Sequence, residues 1–308
     1  MKQAEISFDE KAGIDKVQDL IEQITATGDY KVIRRLQPVD RYCEDLDVEK
    51  KIGIYLDTEA TGLDPDKEKI IELAMVPFEY DDDGHIYRVL PEYDALQDPG
   101  IAIPEFITSI THINDEMVKG QAIDWETVSD MLSSADLVVA HNARFDRPFV
   151  ENSLDDFKKI AWACSIADVN WNEEGFEGVK LEYLAYKYGF FYEGHRATID
   201  CQAGIEILSQ TLPASGEPVL KRLIENASRV MVRLWADRAP FPKKDDLKNR
   251  GYRWSTGEGG KRKCWYRDIP ESDIDEEMAF LNKNVYLKPV ETLPMDRITA
   301  MERYSSRI

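Results

Sequence analysis

Residues Ile52 to Leu63 read Ile-Gly-Ile-Tyr-Leu-Asp-Thr-Glu-Ala-Thr-Gly-Leu, an apolar run broken only by Gly53 that stops at two carboxylates one residue apart. β-Branched and aromatic residues in a short apolar stretch specify a strand buried in a sheet. Side chains alternate faces along a strand, so Asp57 and Glu59 point the same way. Two like charges side by side repel and raise one pKa unless a cation sits between them, and a divalent metal is the usual cation. The Ala60-Thr61-Gly62-Leu63 turn that follows has little bulk, which lets a ligand come close. A strand ending in a polar turn with two solvated acids would read the same over these twelve residues, so the decision rests on the sequence downstream.

Composition narrows the field. The 308 residues suffice for a large core, with one main domain and an appendage. At 43% hydrophobic and 32% charged residues, the chain is an ordinary globular one. No run approaches the roughly 18 apolar residues of a membrane span, and Met1-Lys2-Gln3-Ala4-Glu5 does not begin an apolar signal segment. Cytoplasmic residence without membrane contact is the expectation. Cys43, Cys164, Cys201 and Cys264 form no Cys-x-x-Cys pair, which argues against a zinc site and a disulfide framework. A net charge of −20 argues against a general nucleic-acid binder. The charge is uneven, however: residues 216–308 carry 19 Lys and Arg against 15 Asp and Glu, whereas residues 1–215 carry 20 against 44. Such asymmetry is a cue for division of labour.

The pattern divides the chain into an N-terminal helical extension (1–50), a core domain (51–212) and a small C-terminal α+β module (219–308). The extension shows helical spacing at Ile14, Val17, Leu20, Ile21 and Ile24 up to Gly28. From Lys51 strands follow: Ile52–Asp57, Ile70–Tyr80 and Ile86–Tyr93, the last two joined by Asp81-Asp82-Asp83-Gly84. That acidic turn lacks the spacing of a calcium loop, and a hairpin turn accounts for it. Leu137-Val138-Val139-Ala140 has the signature of a central strand and runs into His141-Asn142-Ala143-Arg144-Phe145-Asp146, where a helix begins. A second short strand at Ile160–Ser165, a helix around Leu181–Tyr188 ended by Gly189, and a last helix opened by His195 to Asp200 complete the core. A three-strand meander followed by strand-helix units makes an α/β fold, a mixed five-stranded sheet flanked by helices of the ribonuclease-H-like kind.

Asp57 and Glu59 end the first strand, Asp146 follows the fourth, and Asp200 lies on the last helix. Adjacent central strands of an open sheet bring their ends together at a crevice, which lets these four acids converge. Hard oxygen ligands without a fixed basic neighbour suit Mg²⁺ or Mn²⁺. Two such ions about 3.5 to 4 Å apart activate a water and stabilise a leaving oxygen at phosphorus. His195, five positions before Asp200, is placed to take the proton from that water.

These residues resemble the motifs of the DEDD superfamily of 3′→5′ exonucleases, in the histidine-bearing, DnaQ-like branch that includes the proofreading epsilon subunit of bacterial DNA polymerase. The resemblance covers roughly Lys51 to Leu212. Asp57, Glu59, Thr61 and Gly62 meet its first motif, with Ala60 where many members have Thr; Ala140, His141, Asn142, Ala143, Phe145 and Asp146 meet its second; His195 and Asp200 meet its third. Thr111 to Met117 looks like the segment between the first two motifs, and His112 within it reads as structural. The resemblance implies hydrolysis of a 3′-terminal phosphodiester to a nucleoside 5′-monophosphate, with Asp57, Glu59, Asp146 and Asp200 holding two metals and His195 as general base. It also implies that Thr58, Ala60, Thr61, Gly62 and Leu63 cradle the terminal nucleotide, with Phe145 a further substrate contact. His141 and Asn142 either contact substrate or cap the following helix. The expected partners are the 3′ end of single-stranded DNA or RNA and a polymerase or other repair protein. An exoribonuclease of the same fold and a non-catalytic polymerase-associated subunit are the competing readings. The intact set of acids with His195 counts against the second.

Outside the motifs, Tyr183, Tyr186, Tyr188, Phe190, Phe191 and Tyr192 read as helix packing or as a stacking platform for bases. In the tail, Pro213 to Pro218 reads as a linker. Lys243 to Arg267 mixes basic residues with Tyr252, Trp254, Trp265 and Tyr266 around a Gly257-Glu258-Gly259-Gly260 turn, so a short hairpin is expected. Charge for phosphate and rings for bases is what single-stranded nucleic acid needs, and a mini-domain with a solvated basic face reads the same.

Overall fold

The computed structural model describes residues 8–257 and 260–308, with side chains described from residue 16 onward. Helix α1 (Phe8–Ala26) and the two-residue strand β1 (Arg34–Arg35) precede the main sheet. That sheet is built on β2 (Lys51–Ala60) and β3 (Ile70–Tyr80), antiparallel from Lys51↔Tyr80 to Glu59↔Glu72. β4 (Ile86–Val89) and β5 (Tyr93–Leu96) both pair with β3. Helices α2 (Glu105–Thr111), α3 (Asp115–Val118) and α4 (Trp125–Ser133) lead to β6 (Leu137–Ala140), parallel to β2. Helix α5 (Ala143–Ser153) then connects to β7 (Ala161–Cys164), parallel to β6. Helix α6 (Leu181–Tyr188), strand β8 (Phe190–Phe191), and helices α7 (Ala197–Leu208) and α8 (Val219–Ser228) complete the layer. The strand order is β4-β3-β2-β6-β7, with β5 added on β3.

The mixed α/β sheet is as expected, but it has six strands where the sequence suggested five. The expected third strand, Ile86–Tyr93, is two: β4 covers one end of β3 and β5 the other. Pro91 lies between them and has no N–H to give to a ladder, so pairing stops and restarts around it.

Alternation along β2 builds two cores. Ile54 and Leu56 pack with Met75, Val138, Phe149 and Trp162 toward α4 and α5. Tyr55 packs on the opposite face with Val76, Phe78, Val139 and Leu184, beneath α6, α7 and α8. Asp57 and Glu59 share the face of Tyr55, and so does the helix that carries Asp200. Gly204 on α7 sets how closely that helix lies against the strand. A Cβ there would stand 2.1 Å from Tyr55 Cζ, and the Tyr55 ring is buried with its hydroxyl 3.0 Å from Ser165 Oγ.

Packing against the main core continues past residue 212. Pro213 to Pro218 form a tight turn, not a linker: Leu212 N–H donates to the Glu217 carbonyl (2.8 Å), and Glu174 accepts from the Ala214 and Ser215 N–H groups at 2.9 and 3.0 Å. Val219, Leu220, Leu223 and Ala227 of α8 are buried in the same core as Tyr55. The N-terminal extension also packs on this layer: β1 pairs in parallel with β8, and Leu36 enters that core. Local composition marked Pro and Gly as breakers, but only tertiary packing shows where a helix spends its apolar face.

The C-terminal module comprises β9 (Met231–Ala236), α9 (Lys244–Asn249), β10 (Arg253–Trp254), β11 (Trp265–Pro270), α10 (Ile274–Phe280) and β12 (Met295–Ile298). Its antiparallel sheet runs β10-β11-β9-β12, with the expected hairpin register Arg253↔Tyr266 and Trp254↔Trp265. Leu234, Ala236, Leu247, Tyr252, Ile269, Leu281 and Val285 form its core. Beyond β12 the chain returns to the main layer, where buried Arg147 donates to the carbonyls of Met301 and Arg303 at 2.6 Å and to Glu151 at 2.7 Å. No helix among the described residues is long and apolar enough to cross a membrane.

Replacing Gly204 by Ala should lower the unfolding free energy by about 1–3 kcal/mol, because the added methyl must push the buried Tyr55 ring or lift α7. Urea denaturation checks this; an unchanged midpoint would mean that the helix has slack the structure does not show.

Candidate active site

β2 carries Asp57 and Glu59 out of the sheet on one face, and α7 lays Asp200 across them. One carboxylate oxygen from each of these three residues lies within 4.8 Å of the others. Burial raises Asp57 well above the usual carboxylate range, reinforced by the charges of Asp146, Asp200 and Glu59. Glu59 is pushed up to about 8 by burial and by Asp200 and Glu72, and burial takes Asp200 to about 6. This is the electrostatic signature of a site lacking a positive partner, and the all-oxygen donor set fits a hard divalent cation.

Asp146 lies outside this group but close enough to Asp57 to raise it. It lies buried in the first turn of α5, and its Oδ1 accepts from the N–H (3.1 Å) and hydroxyl (2.9 Å) of Thr58. Burial raises it to about 7 against those two hydrogen bonds. The structure therefore gathers Asp57, Glu59 and Asp200 as one group and sets Asp146 next to Asp57 in charge, with Thr58 as its tether.

His195 is exposed, in a left-handed conformation (φ 66°) on the loop before α7. Its backbone N–H and that of Arg196 donate to Asp200 Oδ2 at 2.8 and 3.2 Å. Arg196 is anchored in turn: its Nε and Nη2 reach Glu72 Oε1 at 3.0 and 2.9 Å, and the Ala197 N–H donates to Glu72 Oε2 at 3.0 Å. Glu72, fully buried and opposite Glu59 in the ladder, thus holds the start of α7. Sequence reasoning passed over it, although a glutamate inside the otherwise apolar Ile70–Phe78 was a visible signal.

The remaining candidates divide. Thr61 accepts from Lys69 N–H (3.0 Å) and donates to Glu68 (2.5 Å); a Cβ at Gly62 would stand 2.8 Å from Glu68 Cδ, and Ala60 is buried. These three shape the turn. Leu63 is 85% exposed, so it is not a core residue and its side chain is open to a ligand. Asn142 takes the helix-start position with φ 90° and no side-chain cap bond, while Phe145 packs 5.0 Å from Phe149. His141 Nδ1 sits 2.8 Å from Ser165 Oγ, its Nε2 is buried without a partner, and burial pushes its pKa down to about 4. His112 ends α2 in a left-handed turn whose N–H donates to the Thr108 carbonyl, a structural role. In the aromatic row, Tyr183, Tyr188 and Tyr192 pack on the core, and cations cover two outward rings: Lys31 over Tyr186 and Arg35 over Phe191. Asp81 closes the acidic turn by accepting from His85 N–H (3.0 Å) and the Tyr87 hydroxyl (2.6 Å).

A family model described as exonuclease, RNase_T, matches residues 54–208, half of the chain. DNA polymerase III subunit epsilon of Treponema pallidum (strain Nichols) is 30% identical over 189 residues, which cover 55% of this chain and 85% of that protein. A PolC-type DNA polymerase III of Clostridium perfringens (strain 13 / Type A) is 32% identical over 161 residues, 50% of this chain but 11% of that relative. Among solved structures, Exonuclease X in complex with 5′ overhanging duplex DNA aligns with a TM-score of 0.44 at 22% identity, covering 56% of this chain and 99% of that one. The zinc-bound E. coli ExoI–ssDNA complex aligns at 0.49 with 13% identity, over 72% and 63%. The chain belongs to the exonuclease family that its central 155 residues match.

The low pKa of His141 makes it a pH probe. Its folded value lies below the ordinary 6.5, so the stabilising contribution of neutral His141 is full above 6.5 and is lost as pH falls toward 4. Relative to His141→Gln, the wild type should lose stability over that window, on the order of 3 kcal/mol at most. Paired urea melts at pH 7 and 4.5 measure it; a constant difference between the two proteins would place His141 in solvent.

Proposed function

We propose that the protein is a 3′→5′ exonuclease that removes nucleoside 5′-monophosphates from single-stranded or frayed DNA ends. The observation that carries the reading is the convergence of Asp57, Glu59 and Asp200, with Asp146 close enough to add its charge to Asp57, in a spacing that suits a divalent cation. Mg²⁺ or Mn²⁺ held by these acids, two per site, would supply charge for the scissile phosphate and lower the pKa of the attacking water.

The chain's own residues do the rest. Thr58 fixes the orientation of Asp146. The Glu72–Arg196 pair fixes the start of α7, and with it the loop whose N–H groups hold Asp200. His195, exposed on that loop, receives the water's proton on its imidazole. Leu63 lies against the terminal base, and the small Ala60-Thr61-Gly62 turn leaves room for the sugar. DNA is favoured over RNA by the kinship with polymerase III subunits, which also points to a polymerase as partner. The four free cysteines suit a reducing cytoplasm.

Digestion of 5′-labelled single-stranded DNA and RNA with Mg²⁺, Mn²⁺ or chelator tests the reading. A metal-dependent ladder shortening from the 3′ end is expected, stronger on DNA. Asp146→Ala should abolish it, and His195→Ala should slow it by about 10²–10⁴-fold. Intact oligonucleotides under both metals, or a ladder unaffected by Asp146→Ala, would overturn the assignment.

A further inference from the structure

A cleft of about 660 Å³ lies between α5 and the sheet of the C-terminal module, away from the carboxylates. Alternation in β9 explains its walls. Leu234 and Ala236 face the module's own core, while Met231, Arg233 and Trp235 face the cleft. Across from them α5 contributes Arg144 and Pro148, one turn apart on the same side, with Asp146 between them turned toward the metal-binding acids. Helix α5 thus borders both the cleft and the reaction centre.

The cleft is cationic in a chain of net charge −20. Asp268 holds Arg233 through two hydrogen bonds (2.7 and 2.8 Å), and Asp168 pairs with Arg303. That uses both side-chain carboxylates among the lining residues. Arg144 and Arg253 have no carboxylate partner among the described residues, and Lys261 Nζ donates to the main-chain oxygen of Ile308 at 2.6 Å. Rings stand among these charges. Arg233 lies 4.7 Å over Tyr266, which packs 5.3 Å from Trp235, and Trp254 is 49% exposed with its edge against Trp265 at 5.5 Å. A ring that remains half exposed on a cationic wall is open for stacking, and Asp268 holds the guanidinium over Tyr266 in place before any ligand arrives.

We propose that this cleft is a second binding site, for the part of a single strand lying 5′ of the terminal nucleotide. Arg144, Arg253 and Lys261 meet its phosphates, and Trp254 and the Tyr266–Arg233 stack meet its bases. The inference rests on the exonuclease reading for its direction: the strand enters past the C-terminal module, follows α5 and presents its 3′ end to Asp57, Glu59 and Asp200. It also gives the charge asymmetry a purpose, with the cations lying where phosphates need no metal.

The test is binding of 5′-fluorescein-labelled dT4 and dT16 by fluorescence anisotropy in EDTA, which removes turnover. The full-length wild type should bind dT16 at least about tenfold more tightly than dT4. In Arg253→Ala/Trp254→Ala, two exposed positions, that ratio should collapse toward one, and Arg253→Lys/Trp254→Phe should recover most of it. The slope of log affinity against log salt should also fall by about 1, for the single cation removed. Equal affinity for the two lengths in the wild type, or an unchanged ratio in a variant with the wild-type melting midpoint, would overturn the cleft. The two readings fail separately. A wild type that shortens dT16 with Mn²⁺ while the variant keeps its length ratio leaves the exonuclease and removes the cleft. One that binds through the cleft yet shortens nothing with either metal does the reverse.

Discussion

Carboxylate repulsion governs this molecule. Asp57, Glu59 and Asp200 are held within 4.8 Å of one another, and Asp146 adds its charge to Asp57 from the side. In water such groups would separate; here each comes from a different constraint that prevents it. Asp57 and Glu59 are two residues apart on a strand paired along its whole length. Asp200 is pressed down by α7, which sits at the distance Gly204 permits and is pinned at its start by buried Glu72. Asp146 is tied to Thr58 by two hydrogen bonds. The arrangement is unfavourable in the metal-free protein, and the strand, the helix and the hydrogen bonds around it hold it in place.

Arg196 clarifies why the cluster asks for a cation instead of a salt bridge. Its charge eases Glu59, but its guanidinium is committed to Glu72. An arginine facing the three acids would offset part of their charge and compete with an incoming ion. Turning it onto a buried glutamate converts it into a brace for the His195–Asp200 loop and leaves the acids exposed to an incoming ion. The exposure of His195 follows from the same loop, whose backbone N–H groups, and not the imidazole, are spent on Asp200.

What the sequence made legible was local. A strand ending in Asp57-Thr58-Glu59, an apolar Leu137–Ala140 running into Asp146, and the spacing from His195 to Asp200 each sit within a dozen residues, and strand and helix periods place them on faces. The hairpin of Arg253 and Trp265 was legible for the same reason. What escaped depends on residues far apart. Glu72 acquires its role only through Arg196, 124 residues later, and Arg147 only through carbonyls more than 150 residues away. The split of the third strand was written in Pro91, but its significance depends on β3 being long enough to carry two partners. The turn at Pro213–Pro218 looked like a linker because its composition is that of one, and nothing local reveals that α8 buries its apolar face in the main core.

The central claim is that the acids form a cation site whose internal repulsion the cation relieves. Thermal unfolding of wild type and Asp57→Asn at pH 8, each with and without Mn²⁺, measures it most directly. Without metal, Asp57→Asn should melt higher than the wild type, because a buried acid that must either stay charged beside Asp146 and Asp200 or take up a proton is replaced by a neutral group of the same shape. With saturating Mn²⁺ the wild type should gain about 2.7 kcal/mol at a concentration one hundred times the dissociation constant, and the variant far less. A wild type indifferent to Mn²⁺, or an Asp57→Asn protein that melts lower without metal and gains as much with it, would contradict the account.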